Sequence, residues 1–166
     1  MHRREGDALP PLACAVVTVS DSRTEATDES GTLIRRLVEQ AGHRVCGYAL
    51  LPNDEARVRV HVEGWLAQAD VDAVFLTGGT GLGRGDRTVD AIRSLLDKEL
   101  PGFGELFRML SFHEQVGAAA FLSRALAGGA RGKLLVSMPG SPAAVELALT
   151  RIVLPELRHA VRELRR

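Results

Sequence analysis

The sequence of 166 residues has little cysteine, no regular spacing of histidines and no long apolar run. Its two cysteines, Cys14 and Cys46, lie within apolar stretches and form no CxxC pair, so we expect buried thiols rather than a disulfide or a metal site. The five histidines lack the spacing of a zinc site. No stretch approaches the roughly 20 apolar residues that a membrane-spanning helix needs. These absences argue against a disulfide scaffold, a zinc module and a transmembrane protein.

The chain also lacks an excess of either charge, since 21 Lys and Arg balance 21 Asp and Glu. This balance gives no electrostatic basis for binding nucleic acid independently of its sequence. Residues 1–7 are too polar to begin a signal peptide, so a cytoplasmic location is expected. The length suits a single domain over residues 1–166, in which we expect residues 1–11 to be a flexible N-terminal segment.

Apolar patterning predicts an α/β fold. Strands are expected over residues 12–19, 44–51, 72–77 and 133–138. Helices are expected over 30–41, from 54, after the glycines near 85 and from 142, with further helical stretches at 106–110 and 118–127 and a turn at 100–104. We expect Gly128, Gly129 and Gly132 to interrupt the chain before the last strand, and Pro155 to kink the last helix. The alternation predicts a three-layer α/β/α sandwich with a mostly parallel sheet.

The most informative segment contains five glycines within residues 78–85, directly after the apolar run 72–77. Glycine allows backbone N–H groups to approach phosphate oxygens, and a helix N-terminus that follows favours negative charge. The spacing matches neither the dinucleotide fingerprint G-x-G-x-x-G nor the phosphate loop that ends in Gly-Lys-Ser/Thr. The segment therefore predicts a phosphate-bearing ligand, and a merely flexible turn is the alternative.

Polar residues follow all four predicted strands, at 20–21, 52–54, 77–86 and 139–141. The carboxyl ends of parallel strands meet at one edge of a sheet, where ligands of such folds bind. We therefore expect one crevice that supplies N–H donors and carboxylates together.

Several of these residues have two interpretations that the sequence leaves open. Asp54 and Asp86 suit either a helix N-cap or a magnesium ligand. Ser20 and Asp21 suit a polar turn or a ligand contact. Ser141 suits an N-cap whose helix end also binds an anion. One of the two arginines that flank the glycines, Arg84 or Arg87, is expected to contact the ligand.

Four separated motifs resemble one known family. They are Thr77-Gly-Gly-Thr-Gly-Leu with Asp86 and Thr88, Phe107-Arg-Met-Leu-Ser111, Ser123-Arg-Ala125 and Met138-Pro-Gly-Ser-Pro142. In this order they resemble the MoaB/MogA family of molybdenum cofactor biosynthesis proteins, and the resemblance runs from about Ala13 to the C-terminus.

The resemblance implies a molybdopterin adenylyltransferase that uses ATP and Mg²⁺ and releases pyrophosphate. It places the two critical, metal-binding aspartates at Asp54 and Asp86. It places substrate and nucleotide binding at Ser20, Asp21, Gly78, Gly79, Thr80, Gly81, Thr88, Pro139, Gly140 and Ser141. It also implies a homotrimer, or a hexamer of two trimers, with small-molecule substrates and other enzymes of the same pathway as partners.

One departure keeps an alternative open. The family pattern places arginine directly before the aspartate, whereas this chain reads Arg84-Gly-Asp-Arg-Thr88. The displaced arginine is compatible with a protein that binds or carries molybdopterin without reaction. Related enzymes that insert molybdenum or act in pyridine-nucleotide salvage form a third class, but the insertion proteins carry this fold inside longer chains.

Overall fold

The computed structural model describes residues 10–166, so the predicted flexible segment falls outside the described residues except for Pro10 and Pro11. The strands are β1 (Ala13–Val19), β2 (Arg44–Leu51), β3 (Ala73–Thr77), β4 (Lys98–Glu99), β5 (Leu126–Ala130) and β6 (Lys133–Met138). The α-helices are α1 (Glu29–Gln40), α2 (Glu55–Leu66), α3 (Thr88–Arg93), α4 (Pro101–Ser111), α5 (Pro142–Ala148) and α6 (Leu154–Leu164). Shorter helical turns cover Glu25–Thr27, Phe112–Val116, Gly117–Leu122 and Leu149–Val153.

The six strands form one sheet in the order β2-β1-β3-β6-β5-β4. The first four of these are parallel, and β5 runs antiparallel to both β6 and β4. Every residue of β1 and β3 is buried, because helices cover both faces of the sheet centre. The predicted α/β fold with a mostly parallel central sheet is confirmed.

Alternate residues of the central strands face opposite helix layers. On β1, Cys14 and Val16 join the core beneath α1, α4, α5 and α6, which we call the α1 side. Ala15 and Val17 join the core beneath α2 and α3, which we call the α2 side. By the same alternation Thr18 belongs to the α1 side. Burial raises the pKa of the Cys14 thiol to about 12, and both cysteines are free.

Two local predictions about the helices are confirmed. Gly42 ends α1 with φ of 83°, a left-handed conformation that favours glycine. The last helix is divided before Pro155 by the π-helical turn Leu149–Val153, as expected for a proline that lacks an N–H donor.

The region between α3 and β6 differs from its prediction. Residues 118–127 are not a helix: a 3-10 turn ends at Leu122 and strand β5 begins at Leu126. Gly128 and Gly129 lie inside that strand instead of interrupting the chain. A Cβ atom on Gly128 would lie 2.5 Å from the carbonyl oxygen of Lys98, so the missing side chain lets β4 pair closely. Only Gly132 lies in the turn before β6, and residues 101–104 begin α4 rather than forming a turn.

His43 should make the stability of the fold depend on pH. Its Nδ1 accepts a hydrogen bond of 3.1 Å from the Leu12 N–H, and the residue is 8% exposed. Burial, and secondarily Arg158, lowers the pKa of His43 below its ordinary value. The unfolded chain therefore takes up a proton first, and the free energy of unfolding should decrease as the pH falls below about 6.5. Urea unfolding of the wild type and His43→Asn across this range checks this; coinciding pH profiles would contradict it.

No helix within residues 10–166 is both long enough and apolar enough to cross a bilayer.

Candidate functional site

Strands β1, β2, β3 and β6 end at the same edge of the sheet. The chain leaves β1 towards β2 on one side and returns to β3 on the other, so the connections diverge between β1 and β3. A crevice forms at such a point in open α/β sheets. The predicted meeting of polar strand ends is observed directly for two of them: Asp21 accepts hydrogen bonds from the Asn53 N–H (2.9 Å) and its side-chain amide (3.2 Å). These bonds lower the pKa of Asp21.

The predicted site residues fall into two neighbouring groups. On the α1 side, a pocket of about 350 Å³ is lined by Ser20, Gly140 and Ser141 among others. The second group surrounds the glycine loop, residues 78–86. The two groups meet where Gly140 approaches Gly78, since a Cβ atom on Gly140 would lie 3.5 Å from the Gly78 Cα.

Hydrogen bonds hold the turn that forms one wall of the pocket. The Thr77 hydroxyl donates to the carbonyl oxygen of Pro139 at 2.8 Å, and the Ser30 hydroxyl donates to that of Gly140 at 2.6 Å. Ser141 is the N-cap of α5, because its hydroxyl oxygen accepts from the Ala144 N–H at 3.2 Å. The predicted capping role of Ser141 is confirmed, and its hydroxyl hydrogen is still available for donation to a ligand.

The start of the glycine loop requires glycine for steric reasons. Gly78 and Gly79 have φ of 97° and 69°. A Cβ atom on Gly78 would lie 2.2 Å from the backbone oxygen of Val19. The Gly78 N–H donates to Met138, whereas the N–H groups of Gly79, Thr80 and Gly81 have no protein acceptor within residues 10–166. Three successive donors are thus available at the end of β3.

The two aspartates differ in their local roles. Asp54 is the N-cap of α2 and accepts from the Arg57 N–H at 3.0 Å, while its side chain stays 47% exposed. Asp86 is not a cap: the N-cap of α3 is Arg87, and the Asp86 carboxylate turns back to accept from the Gly83 N–H at 2.9 Å. The capping interpretation is therefore confirmed for Asp54 and wrong for Asp86.

Neither aspartate belongs to a complete metal centre. Across residues 10–166 no three His, Cys, Asp or Glu side chains form a group that could hold a metal ion. Magnesium, however, is commonly bound by one or two carboxylates together with substrate phosphates. Asp54, at the start of α2, and Asp86, in the glycine loop, carry carboxylate oxygens of the kind that magnesium takes as ligands.

Two buried oxygen atoms without partners lie beside the glycine loop. Asn53 Oδ1 and Thr88 Oγ1 have no hydrogen-bond partner among the described residues. Both surround Gly79, since a Cβ atom there would lie 2.1 Å from Thr88 Oγ1 and 3.0 Å from Asn53 Oδ1. Thr88 was expected at the site, whereas Asn53 was noted only as part of a strand end. Unsatisfied buried groups of this kind are uncommon and mark polar positions that a ligand or water can satisfy.

The structure distinguishes the two arginines of the loop. Arg87 forms an ion pair with Glu55 at 2.6 Å. Arg84 is exposed and has no ion pair or hydrogen bond with any described residue. Of the two, Arg84 is therefore the one available to a ligand.

A third arginine, Arg124, fixes the shape of the loop. Its guanidinium donates to the carbonyl oxygens of Gly81 (3.0 Å) and Asp86 (2.9 Å) and to the Asp90 carboxylate (3.3 Å). Its backbone N–H donates to Thr80 at 2.9 Å. Hydrogen bonding from Arg124 also lowers the pKa of Asp90. The sequence placed Arg124 in one of the family motifs but assigned it no role, because nothing in local spacing indicates contact with a loop about 40 positions earlier.

The pocket on the α1 side contains residues that sequence reasoning missed. Asp28 lines it and is the N-cap of α1, accepting from the Gly31 N–H at 2.9 Å. The Tyr48 hydroxyl donates to the other Asp28 oxygen at 2.5 Å, and burial raises the pKa of Tyr48 to about 12. An aspartate before a helical pattern is a recognisable capping signal, but its position in a pocket emerges only from the packing of α1 against β1.

Comparison with known proteins agrees with the fold and shows the family. Residues 15–159 match a family described as a probable molybdopterin binding domain. Molybdenum cofactor biosynthesis protein B of Halalkalibacterium halodurans is 49% identical over 163 residues, which are 98% of this chain and 95% of that protein.

Two solved structures have the same architecture. A crystal structure of a molybdenum cofactor biosynthesis protein B aligns with a TM-score of 0.90 and 46% identity, covering 93% of this chain and 96% of the other. The tungsten cofactor synthesizing protein MoaB from Pyrococcus furiosus aligns with a TM-score of 0.86 and 36% identity, covering 96% of this chain and 100% of that one. The chain therefore belongs to the MoaB/MogA family of molybdenum cofactor biosynthesis proteins.

Proposed function

We propose that this protein is a cytoplasmic, Mg²⁺-dependent molybdopterin adenylyltransferase. Its substrates are ATP and molybdopterin, and its products are adenylyl-molybdopterin and pyrophosphate. The observation that carries the proposal is the row of three N–H donors at Gly79, Thr80 and Gly81 that have no acceptor among the described residues, beside a pocket large enough for a second ligand. Free donors at a glycine-rich strand end favour the binding of a polyphosphate.

The division of the site into two groups suits a reaction between two substrates. The glycine loop would bind the triphosphate of ATP, and the pocket on the α1 side would bind molybdopterin. Gly140 faces Gly78 closely enough that a Cβ atom on it would be in van der Waals contact with the Gly78 Cα, and this point marks the boundary where the reacting groups would meet. Both substrates are anionic, so holding them together supplies much of the rate enhancement.

In the proposed reaction, an oxygen of the molybdopterin phosphate attacks the α-phosphorus of ATP. A new P–O bond forms between that oxygen and the α-phosphorus, and the bond from the α-phosphorus to the oxygen that bridges the α- and β-phosphates breaks. Pyrophosphate leaves with the bridging oxygen and the electron pair of the broken bond. The free N–H groups of the glycine loop bind phosphate oxygens, and the Ser141 hydroxyl orients the attacking phosphate. Adenylyl transfer of this kind requires positioning and charge stabilisation rather than a covalent nucleophile on the protein.

Magnesium, when bound, would neutralise negative charge on the triphosphate. Asp54, at the start of α2, and Asp86, within the glycine loop, would hold it. Arg124 would keep Asp86 in place through the loop carbonyl oxygens that it binds.

Pyrophosphate release tests the proposal. Purified protein with ATP, Mg²⁺ and molybdopterin should release one pyrophosphate for each adenylyl-molybdopterin formed, and none when molybdopterin is omitted. The displaced arginine pattern favours a second candidate, a protein that binds or carries molybdopterin without reaction. Binding of molybdopterin with no pyrophosphate release would support that candidate and contradict adenylyl transfer.

We also propose that the chain forms a homotrimer or a hexamer, as the family resemblance implies, and works beside other enzymes of the pathway. Large apolar side chains are exposed along the segment from α4 to residue 122, namely Leu106, Met109, Phe112, Val116, Phe121 and Leu122. Such a concentration of exposed apolar surface is typical of an interaction surface.

A single charge on this surface should change the assembly. Phe121 is 79% exposed, so Phe121→Asp removes little from the core of the chain but places a charge in the proposed contact. Light scattering during size-exclusion chromatography should show a trimer or hexamer for the wild type and a smaller species for the variant. Val60 is exposed on α2, away from this surface, so Val60→Asp is the control and should keep the mass of the wild-type assembly. A monomeric wild type would contradict the assembly.

A further inference from the structure

The floor of the pocket on the α1 side carries a carboxylate that is almost completely removed from solvent. Asp28 is 1% exposed and lines the pocket. Burying a carboxylate is costly unless hydrogen bonds compensate it. Asp28 receives two, one from the Gly31 N–H and one from the Tyr48 hydroxyl. A carboxylate has about four acceptor positions, so Asp28 keeps acceptor capacity at the wall of the pocket.

A second buried polar group lies beside it. Thr18 is 3% exposed, lines the same pocket, and its Oγ1 has no hydrogen-bond partner among the described residues. A Cβ atom on Gly31 would lie 2.2 Å from Asp28 Oδ2 and 2.6 Å from Thr18 Oγ1. The two oxygens therefore surround one point beneath the first turn of α1. An unsatisfied buried hydroxyl is costly in the free protein, and a ligand that bonds to it recovers that cost.

We propose that Asp28 and Thr18 recognise the 2-amino-4-oxo edge of a pterin ring, an inference that rests on the proposed function for its ligand class. This edge presents two adjacent donors, the N3–H and the 2-amino group, beside the 4-oxo acceptor. Asp28 accepts the two N–H donors, and the Thr18 hydroxyl donates to the 4-oxo oxygen. Charge-assisted hydrogen bonds to a carboxylate are stronger than neutral ones and suit a flat ring edge.

The size and surroundings of the pocket agree with this ligand class. A volume of about 350 Å³ is within the ordinary range for a small-molecule site. The nearby cation of Arg35 does not pair with Asp28. Its guanidinium stacks on the ring of Tyr48, 4.2 Å from the ring centre, and its Nε–H donates to the carbonyl oxygen of Gly31. Asp28 is therefore not neutralised by a direct ion pair with any described residue.

This arrangement predicts that the pocket distinguishes between two simple ring compounds, pterin and lumazine. Lumazine has an oxo group where pterin has the 2-amino group, so it offers one donor fewer and places an acceptor against the carboxylate. A site built to bond a donor rejects an analogue that lacks it. The wild type should bind pterin at least about tenfold more tightly than lumazine.

The experiment is a calorimetric titration of the full chain with pterin and with lumazine, without ATP or Mg²⁺. Asp28→Asn should abolish the preference for pterin, whereas Tyr48→Phe, which removes a partner of Asp28 but keeps the carboxylate, should retain it. Thr18→Val removes the hydroxyl without touching the helix cap, so it should weaken pterin binding several-fold while thermal unfolding is unchanged or shifted upwards. This variant keeps the test valid if Asp28→Asn does not fold.

Equal affinity of the wild type for the two rings, no saturable binding of pterin, or full pterin affinity in Thr18→Val would overturn the inference. Because the titration omits ATP, a protein that selects pterin but releases no pyrophosphate would contradict the proposed adenylyl transfer while supporting this assignment. Release of pyrophosphate by a protein that does not select pterin over lumazine would support the proposed adenylyl transfer and contradict this assignment.

Discussion

Asp86→Asn should lower the turnover of pyrophosphate release by about 10²-fold or more, the usual effect of losing one preorganised electrostatic contact. The side chain of asparagine retains an oxygen that can accept the hydrogen bond from the Gly83 N–H, so the loop and the fold should survive. What is lost is the negative charge proposed to hold magnesium. The measurement is steady-state turnover with ATP, Mg²⁺ and molybdopterin, accompanied by thermal unfolding of both proteins.

A matched control is available at the opposite edge of the sheet. Asp70 is exposed and lies before the amino end of β3. Asp70→Asn therefore makes the same chemical change far from the carboxyl ends of the strands, where the candidate site lies. Its turnover should equal that of the wild type. If Asp86→Asn is equally active, the metal-binding assignment of Asp86 is wrong.

Gly78→Ala should strongly destabilise the fold, because the backbone leaves no space for the added methyl group. The new Cβ would lie 2.2 Å from a backbone oxygen of β1, and φ of 97° is strained for alanine. Backbone strain and overpacking each cost about 1–3 kcal/mol, so the free energy of unfolding should fall by roughly 3 kcal/mol or more. Urea denaturation at one fixed protein concentration measures this.

Gly85→Ala is the control for that substitution because it lies in the same loop. Gly85 has no atom within 4 Å of a built Cβ. Its unfolding free energy should remain within about 0.5 kcal/mol of the wild type. Equal stability of the two variants would show that Gly78 is not sterically required.

The central sheet was predictable from the sequence because its strands are recognisable from their own residues. β1 and β3 are continuous apolar runs that are buried on both sides, and their burial is local information. The meeting of polar strand ends also followed from general topology, and the Asp21–Asn53 bonds bear it out. Gly-rich β5 has no such signal, because its stability comes from pairing with β6 and β4 rather than from its own side chains.

The parts of the site that were missed depend on contacts between distant segments. Asp28 and Thr18 are adjacent only because α1 packs across β1 at Gly31, and Arg124 reaches the glycine loop from the turn before β5. Likewise, the choice between Arg84 and Arg87 depends on Glu55, which lies on another helix. Residue types and local spacing contain no record of such neighbours, so only the folded chain can supply them.

Calorimetric titration of the wild-type protein with ATP, with and without Mg²⁺, tests the central claim that the strand ends form a nucleotide site. We expect saturable binding of one nucleotide per chain that weakens when Mg²⁺ is removed. Heat changes no larger than those of dilution, in folded protein and in the presence of Mg²⁺ and molybdopterin, would contradict it.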